Sequence, residues 1–406
     1  MPVPKILLPH ARQRGFTLVE LLVGVVVGLL AVLVITQVTT LSEGRKRTLS
    51  MGSDAQINGA LALFTLQRDI EQAGYGVGAA PQALGCPTKY AGSAHSDTFT
   101  LAPVVIVDGG AAKASDQVTI LQANTTSFSA PMGLTENTTN PPTSAGPFKV
   151  VSTLGAIPGS LMVLVPMKLS GTVATQAWTT DGTVSCSLFA VTSDALTTTQ
   201  LSHSSAGSSW NQDSVFPAIA VEGNPTYLDS LVLNLGKTML LRTYAISNSA
   251  TDTGNLQSTD LSSTDGSSAT TDLYPQIVML KAMYGKSTAA PTSAAPNPPV
   301  AGYDKTTPTT NAQWQMVRSI RVALVARSAQ YEKDIVTPNT PAWNVGTAVP
   351  VATGVAGCAS GSCQLDVSGI VGTNQCPTGI TGSCWQHFRY KVYDTIVPLR
   401  NMLWHS

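Results

Sequence analysis

Charge is scarce in this sequence. Of 406 residues only 11% are Asp, Glu, Lys or Arg, and 23 basic residues balance 23 acidic ones. Such a balance offers no electrostatic footprint for a polyanion, so nucleic acid is not an expected partner. Histidine is sparse too, with five copies, and neither H-E-x-x-H nor G-x-S-x-G occurs. The usual sequence marks of a metalloprotease or a serine hydrolase are therefore missing. Gly285-Lys286-Ser287 has the ending of a P-loop, but Leu280 stands where the upstream glycine is required. Asp252, Asn255, Asp260 and Asp265 offer oxygens to calcium without the loop spacing that calcium sites use. His387 beside Trp385 reads as a strand residue. No enzyme and no cofactor is expected.

One long apolar run stands out against this background. From Phe16 to Leu41 there are 26 residues and a single charge, Glu20. As a helix the run would reach roughly 39 Å at about 1.5 Å per residue, enough to cross a hydrocarbon core of about 30 Å. Gly24 and Gly28 form a G-x-x-x-G pair, which reads as ordinary glycine usage in a membrane helix or as a close-approach face. A standard secretory signal has a shorter apolar core, followed by a small-residue cleavage site. Here no A-x-A site closes the run.

A carboxylate in an apolar span is costly unless paired, which makes Glu20 a functional candidate. If the chain were cut after Gly15, Phe16 would carry a new ammonium group. Glu20 would then lie in the first helical turn, where the helix dipole favours negative charge. Its partner would be its own amine or that of a neighbouring helix. Loss of residues 1–15 removes Lys5, Arg12 and Arg14 and leaves 20 of the 23 basic residues against 23 acidic ones.

Arg14-Gly15-Phe16-Thr17-Leu18-Val19-Glu20-Leu21-Leu22 resembles the class III signal of type IV pilins and type II secretion pseudopilins. The resemblance implies cleavage between Gly15 and Phe16 by a prepilin peptidase, methylation of Phe16, and a role for Glu20 in neutralising the amine of an adjacent subunit. It also orients the span with its N-terminus in the cytoplasm. The Lys and Arg count alone is ambiguous, because Arg45, Lys46 and Arg47 follow the span.

The expected organisation is a leader at 1–15, the transmembrane half of a long helix at 16–41, its periplasmic half at 42–74, and a β-rich globular domain at 75–406. In the second half-helix Ile57, Leu61 and Phe64 fall on one side, and Leu63, Leu66, Ile70 and Ala73 nearly opposite. A helix with two apolar stripes must be covered twice. Gly44, Gly52 and Gly59 would weaken it, Ser53-Asp54-Ala55-Gln56 allows a restart, and Gly74-Tyr75-Gly76 would stop it. Beyond it, strands are expected near 97–107, 116–122, 147–153, 161–167, 228–234, 238–246, 276–284, 320–327 and 388–396, with a short helix at Gln313–Ser319. The fold class is α+β, with the long helix packed on an antiparallel sheet. Residues 247–272, rich in Ser, Thr, Asp, Asn and Gly, and residues 286–312, rich in Pro, Ala and Thr, read as mobile surface insertions or binding loops.

Cys86, Cys186, Cys358, Cys363, Cys376 and Cys384 are an even set in a chain expected to reach an oxidising compartment. Six cysteines allow 15 pairings. The expected arrangement is two local staples, Cys358–Cys363 and Cys376–Cys384, with Cys86–Cys186 joining distant segments. A metal site is the alternative, but no C-x-x-C occurs and the spacings fit zinc poorly.

Leu66-Gln67-Arg68-Asp69-Ile70-Glu71-Gln72-Ala73-Gly74-Tyr75-Gly76, Gln276 to Gly285, Val317 to Val325 and Phe388 to Asn401 are similar to PilW-type minor pilins. This resemblance implies a structural subunit that helps prime or cap a type IV pilus. Its partners would be the prepilin peptidase, other minor pilins and the major pilin, the inner-membrane assembly platform and membrane lipid. The subunit would sit in the inner membrane with its bulk in the periplasm, then in the pilus at the cell surface. A type II secretion minor pseudopilin, or an adhesin-like subunit at the pilus tip, is the alternative.

Overall fold

The structure, a computed structural model, describes residues 15–92, 96–110, 114–125, 130–135, 146–153, 155–170, 177–180, 184–205, 208–212, 230–247, 254–352, 358–359, 361–370, 376 and 383–403. Residues 1–14 of the expected leader lie outside this set. Contacts divide the chain into Met1–Ser53 and Asp54–Ser406.

The first unit is the apolar helix. Helix α1 is Leu18–Gln72, and its stretch Leu18–Gly44 has a mean hydropathy of 3.0 with none of its side chains buried. Thr36, Thr39 and Thr40 donate their hydroxyls to backbone carbonyls three or four residues earlier, at 2.9–3.0 Å. Each hydroxyl is thus satisfied without water, as a hydrocarbon environment demands. The expected restart at Ser53–Gln56 falls inside α1.

In the second unit α1 ends at Gln72, and Gly74 (φ 78°) and Gly76 (φ 83°) turn the chain away. Strands follow in chain order: β1 Pro87–Ala91, β2 Ser96–Thr100, β3 Val104–Val107, β4 Gln117–Gln122, β5 Met132–Gly133, β6 Phe148–Lys149, β7 Leu161–Val165, β8 Met167–Ser170, β9 Ala177–Thr180, β10 Cys186–Ala190, β11 Gln200–Leu201 and β12 Leu231–Gly236. Then come β13 Leu240–Ile246, β14 Asn255–Leu261, β15 Ser268–Pro275, β16 Ile277–Lys286, β17 Gly302–Asp304, helix α2 Asn311–Gln315, β18 Val317–Arg327, β19 Ala342–Asn344, β20 Cys358–Ala359, β21 Ser362–Gln364, β22 Tyr390–Pro398 and helix α3 Arg400–Leu403.

Three larger sheets carry the domain, ordered β2-β1-β10-β7-β12-β5, β15-β14-β13-β4-β3 and β17-β16-β18-β22. Their pairings are antiparallel except β1 with β10, which run parallel in register Thr88↔Cys186. Beside that pair Cys86 is bonded to Cys186 across 100 residues of sequence, and shorter disulfides join Cys358 to Cys363 and Cys376 to Cys384.

Two expectations change. Most of the described part of 247–272 is sheet, while 248–253 lie outside the described residues. From Asn255 onward the segment forms β14 and the first part of β15, paired in register from Leu261↔Ser268 to Asn255↔Pro275. Thr, Ser, Gln and Asp outnumber the apolar residues there, so little apolar signal remains, yet β-branched Thr suits a half-exposed strand well. Likewise 286–312 is pinned by β17, by Lys286 Nζ on Asp304 at 2.6 Å and by Arg318 on Asn297 at 2.9 Å. Helix α2 starts earlier than expected because Thr310 and Gln313 make a capping box, and Val317–Ser319 join β18 instead.

Candidate functional site

Two places carry the residues that sequence reasoning singled out. The first is the start of α1. Thr17 precedes the helix, and Glu20 N–H donates to Thr17 Oγ1 at 3.2 Å. In return Glu20 Oε2 accepts from the Thr17 N–H and hydroxyl, both at 3.2 Å. This reciprocal pair is a capping box, spelled T-x-x-E at 17–20, and it satisfies donors that the helix start would leave open. The T-x-x-E spacing is its signal in the sequence. Gly15, Phe16 and Glu20 are all exposed.

The second place is the seat of α1 in its domain. Ala55, Gly59, Ala62, Leu66, Ile70 and Ala73 follow one another at intervals of three or four residues, and all are buried. They face the core shared by β16, β18 and the five-stranded sheet, with Ile320, Val322, Leu324 and Tyr244 opposite. A side chain at Gly59 would overlap the Tyr393 ring on β22. Gly59 is therefore a point of close helix–sheet approach, and its expected cost in helix stability is offset by that packing. On the opposite side Ile57 (54% exposed), Leu61 (47%) and Phe64 (64%) have no cover.

Polar bonds lock the end of the helix. Asp69 Oδ2 accepts from Arg242 Nη1 at 2.9 Å and from the Tyr244 hydroxyl at 2.5 Å. Arg242 also makes a bidentate pair with Asp260, at 2.6 and 2.7 Å. Its hydrogen bonds with Asp260 hold the guanidinium above its usual pKa, and burial first, then the Asp69 bond, raises that of Tyr244. The last carbonyls of α1 are capped from far away: Asn401 Nδ2 donates to Gln72 O at 3.0 Å and to Ala73 O at 3.1 Å. So the segments 66–76 and 388–401, read as separate motifs, meet at one corner. Periodicity does not reveal such a meeting.

The groups considered for chemistry are engaged in structure. Lys286 Nζ donates to Asp304 and to Thr306 O, and Ser287 Oγ to Ala289 O, which makes that triplet a strand end and turn. Asp260 holds Arg242, Asn255 donates to Asp272, and Asp265 accepts from Ser267; Asp252 lies outside the described residues. His387 stacks on Tyr331 with ring centres 4.8 Å apart, and its Nδ1 is 2.9 Å from Glu332 O. The nearest approach to a catalytic cluster is the buried pair of Lys281 and Asp116. Burial lowers the Lys281 pKa, and the Asp116 charge partly restores it. Asp116 also accepts from the N–H groups of Gly109 and Ala282 and from Lys305. The cavity beside the cluster measures about 10 Å³, room for one water at most. Among the described residues no group of three His, Cys, Asp or Glu is placed to hold a metal ion.

A capped apolar helix with every side chain of its span exposed, continuing into a helix that seats on an antiparallel sheet, is the architecture of a membrane-anchored pilin-like protein. Residues 10–36 match the Prokaryotic N-terminal methylation motif. Residues 243–401 match the family described as Type IV Pilus-assembly protein W, PilW. The chain thus pairs a prepilin-type N-terminus with a PilW-like segment, which associates it with type IV pili as a pilin-like protein. No curated protein and no solved structure matches it.

Proposed function

We propose that the chain is a minor pilin that helps to prime or cap type IV pilus assembly. A prepilin peptidase cuts between Gly15 and Phe16 and methylates Phe16. The chain stays in the inner membrane through Leu18–Gly44, with its domain in the periplasm, until it passes into the pilus with other minor pilins and the major pilin. The observation that carries this reading is the pair of uncovered apolar surfaces: a span with no buried side chain, and Ile57, Leu61 and Phe64 exposed on the domain's own helix. The first is covered by lipid and both by neighbouring helices after assembly. Glu20, already bonded to the Thr17 N–H, stands one turn from the new ammonium group and pairs with the amine of its own or a neighbouring subunit. The PilW match favours a pilus over a secretion pseudopilus.

Intact mass and N-terminal sequencing of the protein from membranes, with and without active prepilin peptidase, test the pathway. The expected result is a peptidase-dependent N-terminus at methylated Phe16. An uncleaved chain, or a cut beyond Leu41, overturns it.

A further inference from the structure

The five-stranded sheet has two unlike faces. Arg242 points to α1 and meets Asp69 there. Its neighbours Leu241 and Thr243 point the other way, by the alternation of a strand, into an open groove of about 330 Å³. The register of the sheet sets Thr119 beside Thr243, Thr243 beside Thr259 and Thr259 beside Thr270. Four threonines thus form one row across β4, β13, β14 and β15. Thr119 and Thr243 are hydrogen-bonded at 2.8 Å, and so are Thr259 and Thr270. Each bond between hydroxyls uses one proton and leaves the pair further capacity to donate and accept. Leu121, Leu241 and Leu261 make an apolar row beside the threonines.

The hairpin β1–β2 supplies the facing wall. Phe99 lies there, braced by Tyr90 with ring centres 6.2 Å apart, and Tyr90 in turn by Trp210 at 6.0 Å. Among the described residues lining the groove, Asp97 is the one that carries a charge.

This combination selects a ligand class. A row of hydroxyls beside a row of leucines and an aromatic ring matches a molecule with hydroxyls on its rim and C–H bonds on its faces. Among the described residues no lysine or arginine lines the groove to pair with a phosphate, sulfate or carboxylate. A wholly apolar ligand would leave unmet the hydrogen-bonding capacity that each threonine pair keeps beyond its mutual bond. The volume is at the lower end of the range for ligand pockets, about 300–1,000 Å³, which suits a short chain of sugar rings. We propose that this groove binds a neutral saccharide, with the threonine row hydrogen-bonded to ring hydroxyls and Phe99 packed on a C–H face. The site is independent of the assembly reading. It puts β14 and β15, the most polar stretch of the sequence, to work as one of its walls.

The test uses the full chain in an amine-oxide detergent, because sugar headgroups of a maltoside would compete for the groove. The protein is applied to an array of neutral and acidic glycans, and the best neutral glycan is titrated by calorimetry. Saturable binding is expected, about tenfold weaker for Thr243→Val and again for Thr259→Val, each an isosteric loss of one hydroxyl. Unfolding temperatures equal to the parent's show that the weakening is not a loss of fold. Retention of no neutral glycan, retention of acidic glycans only, or a titration unchanged in both valine variants overturns the proposal. The same variants should leave processing at Gly15–Phe16 untouched, so failure here is distinct from failure of the pilin pathway.

Discussion

The two parts of α1 are built for different solvents. In Leu18–Gly44 apolar residues run all the way round and none of the span is buried by the protein. In Asp54–Gln72 they are sorted, with Ala55, Ala62, Leu66 and Ile70 buried and Ile57, Leu61 and Phe64 exposed. A helix that is apolar all round gains nothing from facing one way, so its environment is lipid or other helices. A sorted helix is held by its own domain and keeps one face for something else. Mutations in the two parts should therefore separate assembly from folding.

The largest effect is expected at Glu20. Glu20→Ala should abolish co-purification with other minor pilins while leaving the domain's unfolding temperature unchanged; normal co-purification would remove the charge from the assembly mechanism. Next, Leu66→Ala should destabilise the domain by about 2–5 kcal/mol, the usual cost of a leucine-sized cavity in a packed core. Thermal unfolding of the full chain in detergent measures it, and a shift no larger than that of an exposed leucine would mean that the helix seat is loose. Asp69→Asn keeps the shape but removes the charge that Arg242 and Tyr244 share, for a loss of about 1–2 kcal/mol. The smallest change in stability, within about 0.5 kcal/mol, is expected for Ile57→Ser with Phe64→Ser. If that pair unfolds the domain, the exposed stripe is part of the core and not a surface kept for neighbours.

Much of this contrast was readable in advance. The span shows itself by length and by the near-absence of charge, and the two stripes of the second half by spacing. A strand buried on both faces, such as β7 at Leu161–Val165, stands out as a continuous apolar run. What escaped was of another kind. Strands β14 and β15 were hidden because their outward residues are threonine, serine and aspartate, a composition shared with loops. Asp69, Arg242 and Asp260 lie apart in sequence; the sheet register sets Arg242 beside Asp260, and the seat of α1 brings Asp69 to them. Gly59 carried the opposite sign, since a glycine within a helix looks like a weakness until the Tyr393 ring is seen against it.

The cap supplied by Asn401 also bears on the order of events during folding. The carbonyls of Gln72 and Ala73 wait for a side chain that follows them by more than 300 residues, and β22, which places Tyr393 against Gly59, arrives equally late. Pairings this distant are slow to form. Until the final strand is in place, the inner face of the helix lies open to its surroundings. The interval before closure is then the period in which a chaperone, or a protease, has its opportunity.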